Sequence, residues 1–255
     1  MSQLQKRISR IQRRETASIG FGHVNREQPR AMLLAVVVDG EAAGRDAVEA
    51  GADAVIVRAA EAGVAAQVIE PLNAAKIIAG ALIPRLDAAG AAALQAAGCD
   101  FVVSSLEGTE SAAVDTEKMG QIVVAAESMD DTTLRSLGPL GMDGLYVDRP
   151  AAPMTLAAQL GLVRLASFAS AQLLVTVDPG ASISDLRVLR DSGSVAVIAP
   201  PGTTPDQLRT LVESLKAIPA PRKNKGGEGR DIALVPATAS HAHAEEEDDD
   251  DDDDE

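Results

Sequence analysis

The sequence predicts an α/β fold: a single (β/α)8 TIM barrel with an N-terminal helical arm and a disordered acidic C-terminal tail. Three observations favour this fold. Short β-branched runs alternate eight times with Ala- and Leu-rich helical stretches from residue 31 onward. The runs are continuously apolar, as in LLAVVV, which is typical of parallel strands covered on both faces. With 255 residues, 46% of them apolar, the chain can bury one large core.

The predicted arm spans residues 1–30. Leu4, Ile8 and Ile11 recur on one helical stripe, and the bases lie largely elsewhere, so this segment is predicted to be an amphipathic helix. Two interpretations stay open: the helix closes the bottom of the barrel, or it binds an acidic partner or a membrane surface. The arm lacks the apolar core of a secretory signal.

The barrel is predicted to span residues 31–220, and a helical segment or short helical turn is expected after each strand. The last of these is the helix Pro205–Ile218. The eight predicted strands are Met32–Val38, Ala54–Val57, Ile77–Ile83, Phe101–Ser104, Gln121–Ala125, Gly144–Val147, Leu173–Val177 and Val195–Ala199.

Glycines mark the junctions before the second, fourth, sixth and eighth strands. A glycine just past a helix adopts the left-handed conformation that ends the helix, and a short polar residue then leads into the sheet. This repeat suits a barrel built from (βα)2 units. The junctions are Gly51-Ala52-Asp53, Gly98-Cys99-Asp100, Gly141-Met142-Asp143 and Gly193-Ser194.

An open, doubly wound sheet is the alternative fold. The count of eight and the short, regular helices favour closure instead. After the first strand the chain reads Asp39-Gly40-Glu41 rather than GxGxxG, so no nicotinamide cofactor is expected. With no Trp and one Tyr, neither flavin stacking nor nucleic-acid binding is expected.

Residues 221–255 are predicted to be a flexible linker and an acidic tail. Eleven acidic residues occupy positions 245–255; without them 27 acids face 23 bases, so the formal charge of −15 falls to about −4. Such a run cannot bury apolar surface. It is expected either to attract a basic protein through salt-sensitive electrostatics or only to aid solubility.

The sequence favours a cytoplasmic protein. Cys99 is the only cysteine, so an intramolecular disulfide is excluded. No stretch approaches the roughly 20 apolar residues that a membrane span needs. The oligomeric state stays open.

Candidate site residues follow the strands, because the carboxyl ends of barrel strands carry the chemistry. Asp39 and Asp178 are predicted to move protons as catalytic residues. Glu127 and Asp148 are predicted to hold Mg²⁺ or Mn²⁺, which prefer oxygen ligands. The alternative is that the acids at the rim are helix caps and members of salt bridges.

Substrate binding is predicted from arginines, serines and loop residues. Arginines pair with a carboxylate or phosphate, and the loops after the last two strands are a common phosphate site. Prolines in those loops and a capping box at Thr204 remove donors that a phosphate would need. The predicted substrate-binding residues are Arg58, Arg85, Ser104, Ser105, Arg149, Gly180, Gly202 and Thr203.

Two other chemistries are disfavoured. His23, His241 and His243 lie outside the barrel, so the rim has no imidazole base. The barrel lysines, Lys76, Lys118 and Lys216, do not follow strands, which disfavours a Schiff-base aldolase.

The segment Asp185–Ile218, with the Gly-Ala-Asp junctions, resembles the phosphate-binding (β/α)8 barrels of the indole-glycerol-phosphate synthase and thiamine-phosphate synthase kind. The resemblance covers the architecture over about 190 residues and implies a metabolic enzyme. This chain has Pro200-Pro201 in place of the family's Gly-rich phosphate loop and lacks matching catalytic lysines. A fainter similarity to metal-dependent aldolases of the citrate-lyase type implies roles for Arg85, Glu127 and Asp148.

Two functions follow as hypotheses. The first is a barrel that binds a small anionic metabolite and acts as a divalent-metal-assisted lyase or isomerase on a carboxylate or phosphorylated compound. The second is a catalytically degenerate barrel that serves as a protein-interaction scaffold through its basic arm and acidic tail.

Overall fold

Eight parallel strands form a closed barrel in chain order, and β8 pairs with β1. This computed structural model describes residues 1–16, 30–125, 129–149 and 153–219. The predicted fold class is therefore confirmed. The predicted linker and tail at residues 221–255 lie outside the described residues. The strands are β1 Leu33–Val38, β2 Ala54–Arg58, β3 Ala79–Leu82, β4 Phe101–Ser104, β5 Gly120–Val124, β6 Gly144–Val147, β7 Leu173–Thr176 and β8 Ser194–Ala199.

The helices surround this barrel, except for α1, which precedes it. A 3-10 turn at Gly138–Leu140 follows α5. The expectation of a helical segment or turn after every strand fails once, since irregular turns alone join β4 to β5. The helices are α1 Gln3–Thr16, α2 Glu41–Glu49, α3 Ala62–Ala74, α4 Ala88–Ala96, α5 Asp131–Leu137, α6 Leu156–Ala169, α7 Ile183–Asp191 and α8 Pro205–Lys216.

The strand bounds match the predictions to within two residues. The largest difference is in β3, which begins at Ala79 rather than Ile77. Lys76 has a φ of 61°, and the backbone N–H of Ile77 donates to the Leu72 carbonyl at 3.0 Å. Ile77 therefore still belongs to the end of α3, where its amide satisfies a helix carbonyl.

The strands separate two apolar cores. Leu33, Ala35 and Val37 face the barrel interior, whereas Leu34, Val36 and Val38 face the helices. All six are buried. The continuous apolar run in β1 follows from burial on both faces.

The junction glycines adopt the predicted left-handed conformation. The φ angles of Gly51, Gly98, Gly141 and Gly193 are 105°, 80°, 68° and 95°. At Gly98 a Cβ atom would also lie 2.0 Å from Nδ2 of Asn73. That position therefore requires glycine for both its backbone angle and its close approach to α3.

The arm helix α1 closes the amino-terminal end of the barrel. Leu4 and Ile8 are 3% and 2% exposed and belong to the interior apolar cluster. The structure thus shows the first of the two interpretations of the arm. Because this apolar stripe is covered, a partner would meet only the polar side of α1, which weakens the scaffold hypothesis for the arm.

Acids of the glycine junctions hold α1 in place. The carboxylate of Asp100 accepts hydrogen bonds from the backbone amides of Gln3 at 2.7 Å and Leu4 at 2.9 Å. These are first-turn amides that have no partner within the helix. Asp53 forms ion pairs with Arg7 at 3.5 Å and Arg30 at 3.1 Å. The short polar residue of the junction therefore anchors the arm as well as leading into the strand.

Within the described part of the chain, the helices are all too short or too polar to cross a membrane.

Candidate functional site

Two predicted residues, Asp39 and Arg58, meet at the carboxyl ends of β1 and β2. Arg58 Nε donates to Asp39 Oδ1 at 3.0 Å, and Nη2 donates to Oδ2 at 3.1 Å. Asp39 continues the inward series of Leu33, Ala35 and Val37, and alternation places both side chains on the inner side of the rim. We call this end of the barrel, bounded by Asp39, Arg58, Tyr146, Asp148 and Thr176, the mouth.

The Asp39 and Arg58 side chains are 60% and 53% exposed. An ion pair so open to water contributes only about 0–1 kcal/mol to folding. The pair therefore does little for stability, and it leaves a fixed guanidinium within reach of a ligand.

Asp148 and Thr176 form a second polar contact at the ends of β6 and β7. The Thr176 hydroxyl accepts a hydrogen bond from the Arg149 amide at 2.8 Å. The same hydroxyl lies 3.2 Å from Asp148 Oδ1 and 3.1 Å from the Arg149 carbonyl, where its proton finds an acceptor. Thr176 thus fixes the backbone that carries Asp148 and Arg149.

Sequence reasoning did not assign Thr176 to the site. A signal was present, because Thr176 is the polar residue of the otherwise apolar strand LLVT. It falls two residues after Leu174, which faces the interior. Alternation therefore predicts that its side chain points inward.

Tyr146 lies in the barrel interior beneath these residues and is 5% exposed. Burial and, to a smaller extent, the Asp148 carboxylate raise the pKa of its phenol, the Arg58 guanidinium opposes them, and the resulting pKa is about 12. Tyr146 precedes Asp148 by two residues on the inward-facing side of β6, so it lies just below Asp148 at the mouth. The sequence placed Tyr146 near the rim but gave it no role.

In the two predicted phosphate-binding loops, which follow β7 and β8, polar groups form hydrogen bonds within the loop itself. Asp178 Oδ1 accepts from the Gly180 amide at 2.7 Å. The Thr203 hydroxyl donates to the Pro200 carbonyl at 2.7 Å, next to Gly202 with a φ of 81°.

Side chains also cap the helices that follow these two loops. Ser182 accepts from the Asp185 amide at the start of α7. The predicted capping box at Thr204 is present at the start of α8, where the Thr204 hydroxyl accepts from the Gln207 amide. These contacts use donors that a phosphate would otherwise take.

Ser104 and Ser105 make contacts within the structure. Ser104 is fully buried on the helix-facing side of β4, and its hydroxyl accepts from Thr109 at 2.8 Å. Ser105 donates to the Pro84 carbonyl at 3.2 Å and accepts from the Gly108 amide at 3.0 Å. We therefore leave both serines out of the proposed site. Arg85 is exposed in the loop after β3.

The structure describes only one of the two predicted metal ligands, Asp148, because Glu127 lies outside the described residues. The structure therefore gives no distance between Glu127 and Asp148, and the Mg²⁺ or Mn²⁺ site stays a prediction. No cluster of three or more His, Cys, Asp or Glu residues suited to a metal occurs among the residues with described positions.

Cys99 is a buried free thiol at the junction before β4 and is not part of the mouth. Burial raises the pKa of its thiol to about 12, and the thiol donates to the Phe101 carbonyl at 3.1 Å. The sulfur therefore stays protonated and unreactive at neutral pH.

Comparison with known proteins agrees with the fold. No family model and no curated protein sequence matches this chain. Among solved structures, tryptophan synthase from M. tuberculosis superposes with a TM-score of 0.63 at 15% identity, covering 85% of this chain and 98% of the other. KGPDC from Streptococcus mutans, solved in complex with a ligand, gives a TM-score of 0.56 at 14% identity, covering 73% and 98%.

Thiamine phosphate pyrophosphorylase from Pyrococcus furiosus gives a TM-score of 0.53 at 15% identity, covering 73% of this chain and 96% of the other. All three are (β/α)8-barrel enzymes. The resemblance inferred from the sequence therefore holds at the level of the barrel. Similarity at this identity shows the fold alone.

Proposed function

We propose that this barrel binds a small anionic metabolite at its mouth and acts on it as a lyase or isomerase. The observation that carries the proposal is the Arg58 guanidinium, which Asp39 holds at 3.0 and 3.1 Å on the inner side of the rim. An oriented guanidinium is suited to binding a carboxylate or phosphate through two parallel hydrogen bonds.

The other mouth residues have complementary roles in this proposal. Arg149, on the backbone segment fixed by Thr176, adds positive charge beside Asp148. Asp39 or Asp178 moves a proton. Arg85 contributes to anion attraction from the neighbouring loop. The backbone around Gly180, Gly202 and Thr203 borders the mouth rather than cradling a phosphate.

A divalent cation is the second part of the proposal. Asp148, together with Glu127, would supply carboxylate oxygens to Mg²⁺ or Mn²⁺. A bound cation would polarise a carbonyl oxygen of the metabolite. The proposal gives this barrel the kind of role that structurally similar barrels have, one of which was solved in complex with a ligand.

A thermal-shift screen of the full chain tests anion binding. Phosphorylated and carboxylate metabolites are tested individually, because a ligand that binds the folded state raises the melting temperature. In Arg58→Ala we expect affinity for the best ligand to fall about 10- to 100-fold, the loss of a charge-assisted contact.

Arg187→Ala is the matched control. Arg187 is also about half exposed and ion-paired, with Asp191, but it lies in the middle of α7, on the outer layer of the barrel and away from the mouth. Equal losses in the two variants, or no ligand that shifts the melting temperature, would refute the proposal.

The cation is tested separately by adding Mg²⁺ or Mn²⁺ to the wild type and to Asp148→Asn. We expect a melting-temperature rise in the wild type that Asp148→Asn lacks. The same rise in both proteins would exclude Asp148 as a ligand.

A further inference from the structure

The outer face of α6 carries a row of apolar side chains. Leu156, Leu160 and Val163 are 84%, 69% and 37% exposed. Because these positions are four and three residues apart, their side chains lie on one side of the helix. We call these three residues the α6 stripe.

α8 shows the usual pattern for an outer helix. It exposes charged side chains that pair within the helix, Arg209 with Asp206 and Lys216 with Glu213. A polar face towards water and an apolar face towards the core is typical of a helix packed on a globular domain. α6 departs from this pattern, because its single charged residue, Arg164, is already paired with an aspartate of α5 at 2.6 Å.

The large exposed apolar residues concentrate around α6. Leu140, in the 3-10 turn after α5, is 59% exposed, and Ile183, in the first turn of α7, is 42% exposed. α5 and α7 both contact α6 in the outer layer of the barrel. Elsewhere in the described part of the chain, the large exposed apolar residues are Met1 and Val64. This uneven distribution is typical of a contact surface, whereas apolar residues scattered singly are ordinary.

A second copy of this chain is the occupant that fits the stripe. In a two-fold symmetric contact, a side chain near the axis faces the same side chain of the other copy, so a charge there would repel its equivalent. The α6 stripe is uncharged and meets this requirement. A charged partner, by contrast, would find no opposite charge on it.

The area of the stripe suits the centre of such a contact. The exposed fractions of the three side chains correspond to on the order of 300 Å² of apolar surface, the size of patches that are often functional. A standard interface buries about 800 Å² from each copy, with an apolar centre and a polar rim. The stripe supplies the centre, and exposed polar residues of α5 and α7 supply the rim.

We propose that the α6 stripe is the centre of a homodimer interface, in which α6 packs against α6 of a second copy about a two-fold axis near Leu160. The pairing places the Leu160 side chains of the two copies against each other, with Leu156 and Val163 on either side. This interface is independent of the proposed function, because the stripe lies on the outside of the helix layer and the mouth lies at the strand ends.

Sedimentation equilibrium of the full chain measures the association. We expect a reversible dimer with a dissociation constant in about the micromolar range, since the apolar centre is small. A buffer with about 0.15 M salt screens repulsion between the acidic residues 245–255 of the two copies. In Leu160→Glu we expect dimerisation to weaken at least about 30-fold, because two like charges would meet at the centre of the contact.

Val64→Glu is the matched control. Val64 is 53% exposed and lies on α3, outside the sector of α5, α6 and α7. Both substitutions change exposed side chains, so both variants should unfold at nearly the wild-type temperature. A wild type that stays monomeric, a Leu160→Glu variant that dimerises as the wild type does, or equal weakening in the two variants would each overturn the interface.

A cysteine variant tests the position of the axis. Cys99 is the only cysteine of the chain and is buried, so Leu160→Cys adds a single exposed thiol. Packed helices have axes about 8–10 Å apart, which lets a short bis-maleimide link the two thiols. We expect Leu160→Cys to crosslink as a dimer and Val64→Cys to stay monomeric on a denaturing gel. A dimer in solution that Leu160→Cys fails to crosslink would overturn an axis near Leu160.

Discussion

Arg58 contacts Asp39 through Nε and Nη2, with both carboxylate oxygens engaged, across the edge between β1 and β2. The two strands are in register directly below, where Val38 pairs with Val57. The strand pairing therefore brings the two side chains together. The pair engages Nε and Nη2, and Nη1 of the guanidinium makes no hydrogen bond among the described residues.

The first prediction concerns Asp39→Asn. Asp39 competes with a ligand anion for Arg58, so its neutralisation should tighten binding of inorganic phosphate about twofold to fivefold, the scale of an exposed ion pair. Calorimetric titration measures this change. Asp115→Asn, which removes an exposed carboxylate paired with Lys118 before β5, should leave phosphate affinity unchanged. Weaker phosphate binding in Asp39→Asn would contradict the competition.

The second prediction concerns docking of α1. Ile8→Ala removes a 2%-exposed side chain from the barrel interior and should lower the free energy of unfolding by about 2–5 kcal/mol. Lys6→Ala changes an exposed residue of the same helix and should cost less than about 0.5 kcal/mol. Denaturant unfolding distinguishes them. Similar stabilities for the two variants would show that α1 does not pack into the barrel.

The third prediction compares two junction glycines. Gly141→Ala should cost about 1–2 kcal/mol for the left-handed backbone alone, since nothing lies within 4 Å of the added Cβ. Gly98→Ala should cost more, because Asn73 must also move. The free energies of unfolding of both variants measure the difference. Equal costs would mean that Asn73 moves aside without penalty.

The fourth prediction is a pH titration of Tyr146. Phenolate absorbance of the native protein should rise near pH 12, and in denaturant it should rise near the ordinary value of about 10. The folded protein holds this proton more tightly than the unfolded chain. The free energy of unfolding should therefore fall as pH rises from 10 to 12. A native transition near pH 10 would show that the phenol is not buried.

Local rules explain why much of the fold was predictable. A left-handed glycine ends a helix whatever surrounds it, so Gly51, Gly98, Gly141 and Gly193 were identifiable from the sequence. The capping box at Thr204 is local in the same sense, because it joins residues three apart.

The connection after β4 was not predictable, because long-range contacts determine it. The Leu86 amide donates to the Gly108 carbonyl at 2.8 Å, and the Glu110 amide donates to the Leu86 carbonyl at 2.9 Å. This pairing with the loop after β3 satisfies backbone groups that a helix would otherwise satisfy. A Cβ on Gly108 would lie 2.0 Å from the Pro84 carbonyl oxygen, so the two segments pass in close contact.

The site was predictable as a set of candidates but not as an arrangement. Rim position identified Asp39 and Arg58, but their pairing depends on the register of neighbouring strands. Ser104 was predicted from its position at the end of β4, and alternation along that strand turns its side chain towards the helices. The same rule, applied to β6 and β7, identifies Tyr146 and Thr176.

Asp100 and Asp53, which anchor α1, lie at the end of the barrel opposite Arg58 and Tyr146. The side chains that anchor the arm are thus separate from those that form the proposed ligand site. Combinatorial libraries that randomise the loops following β6, β7 and β8 should accordingly yield a high proportion of well-folded clones, which makes this scaffold a practical starting point for directed evolution of new binding specificities.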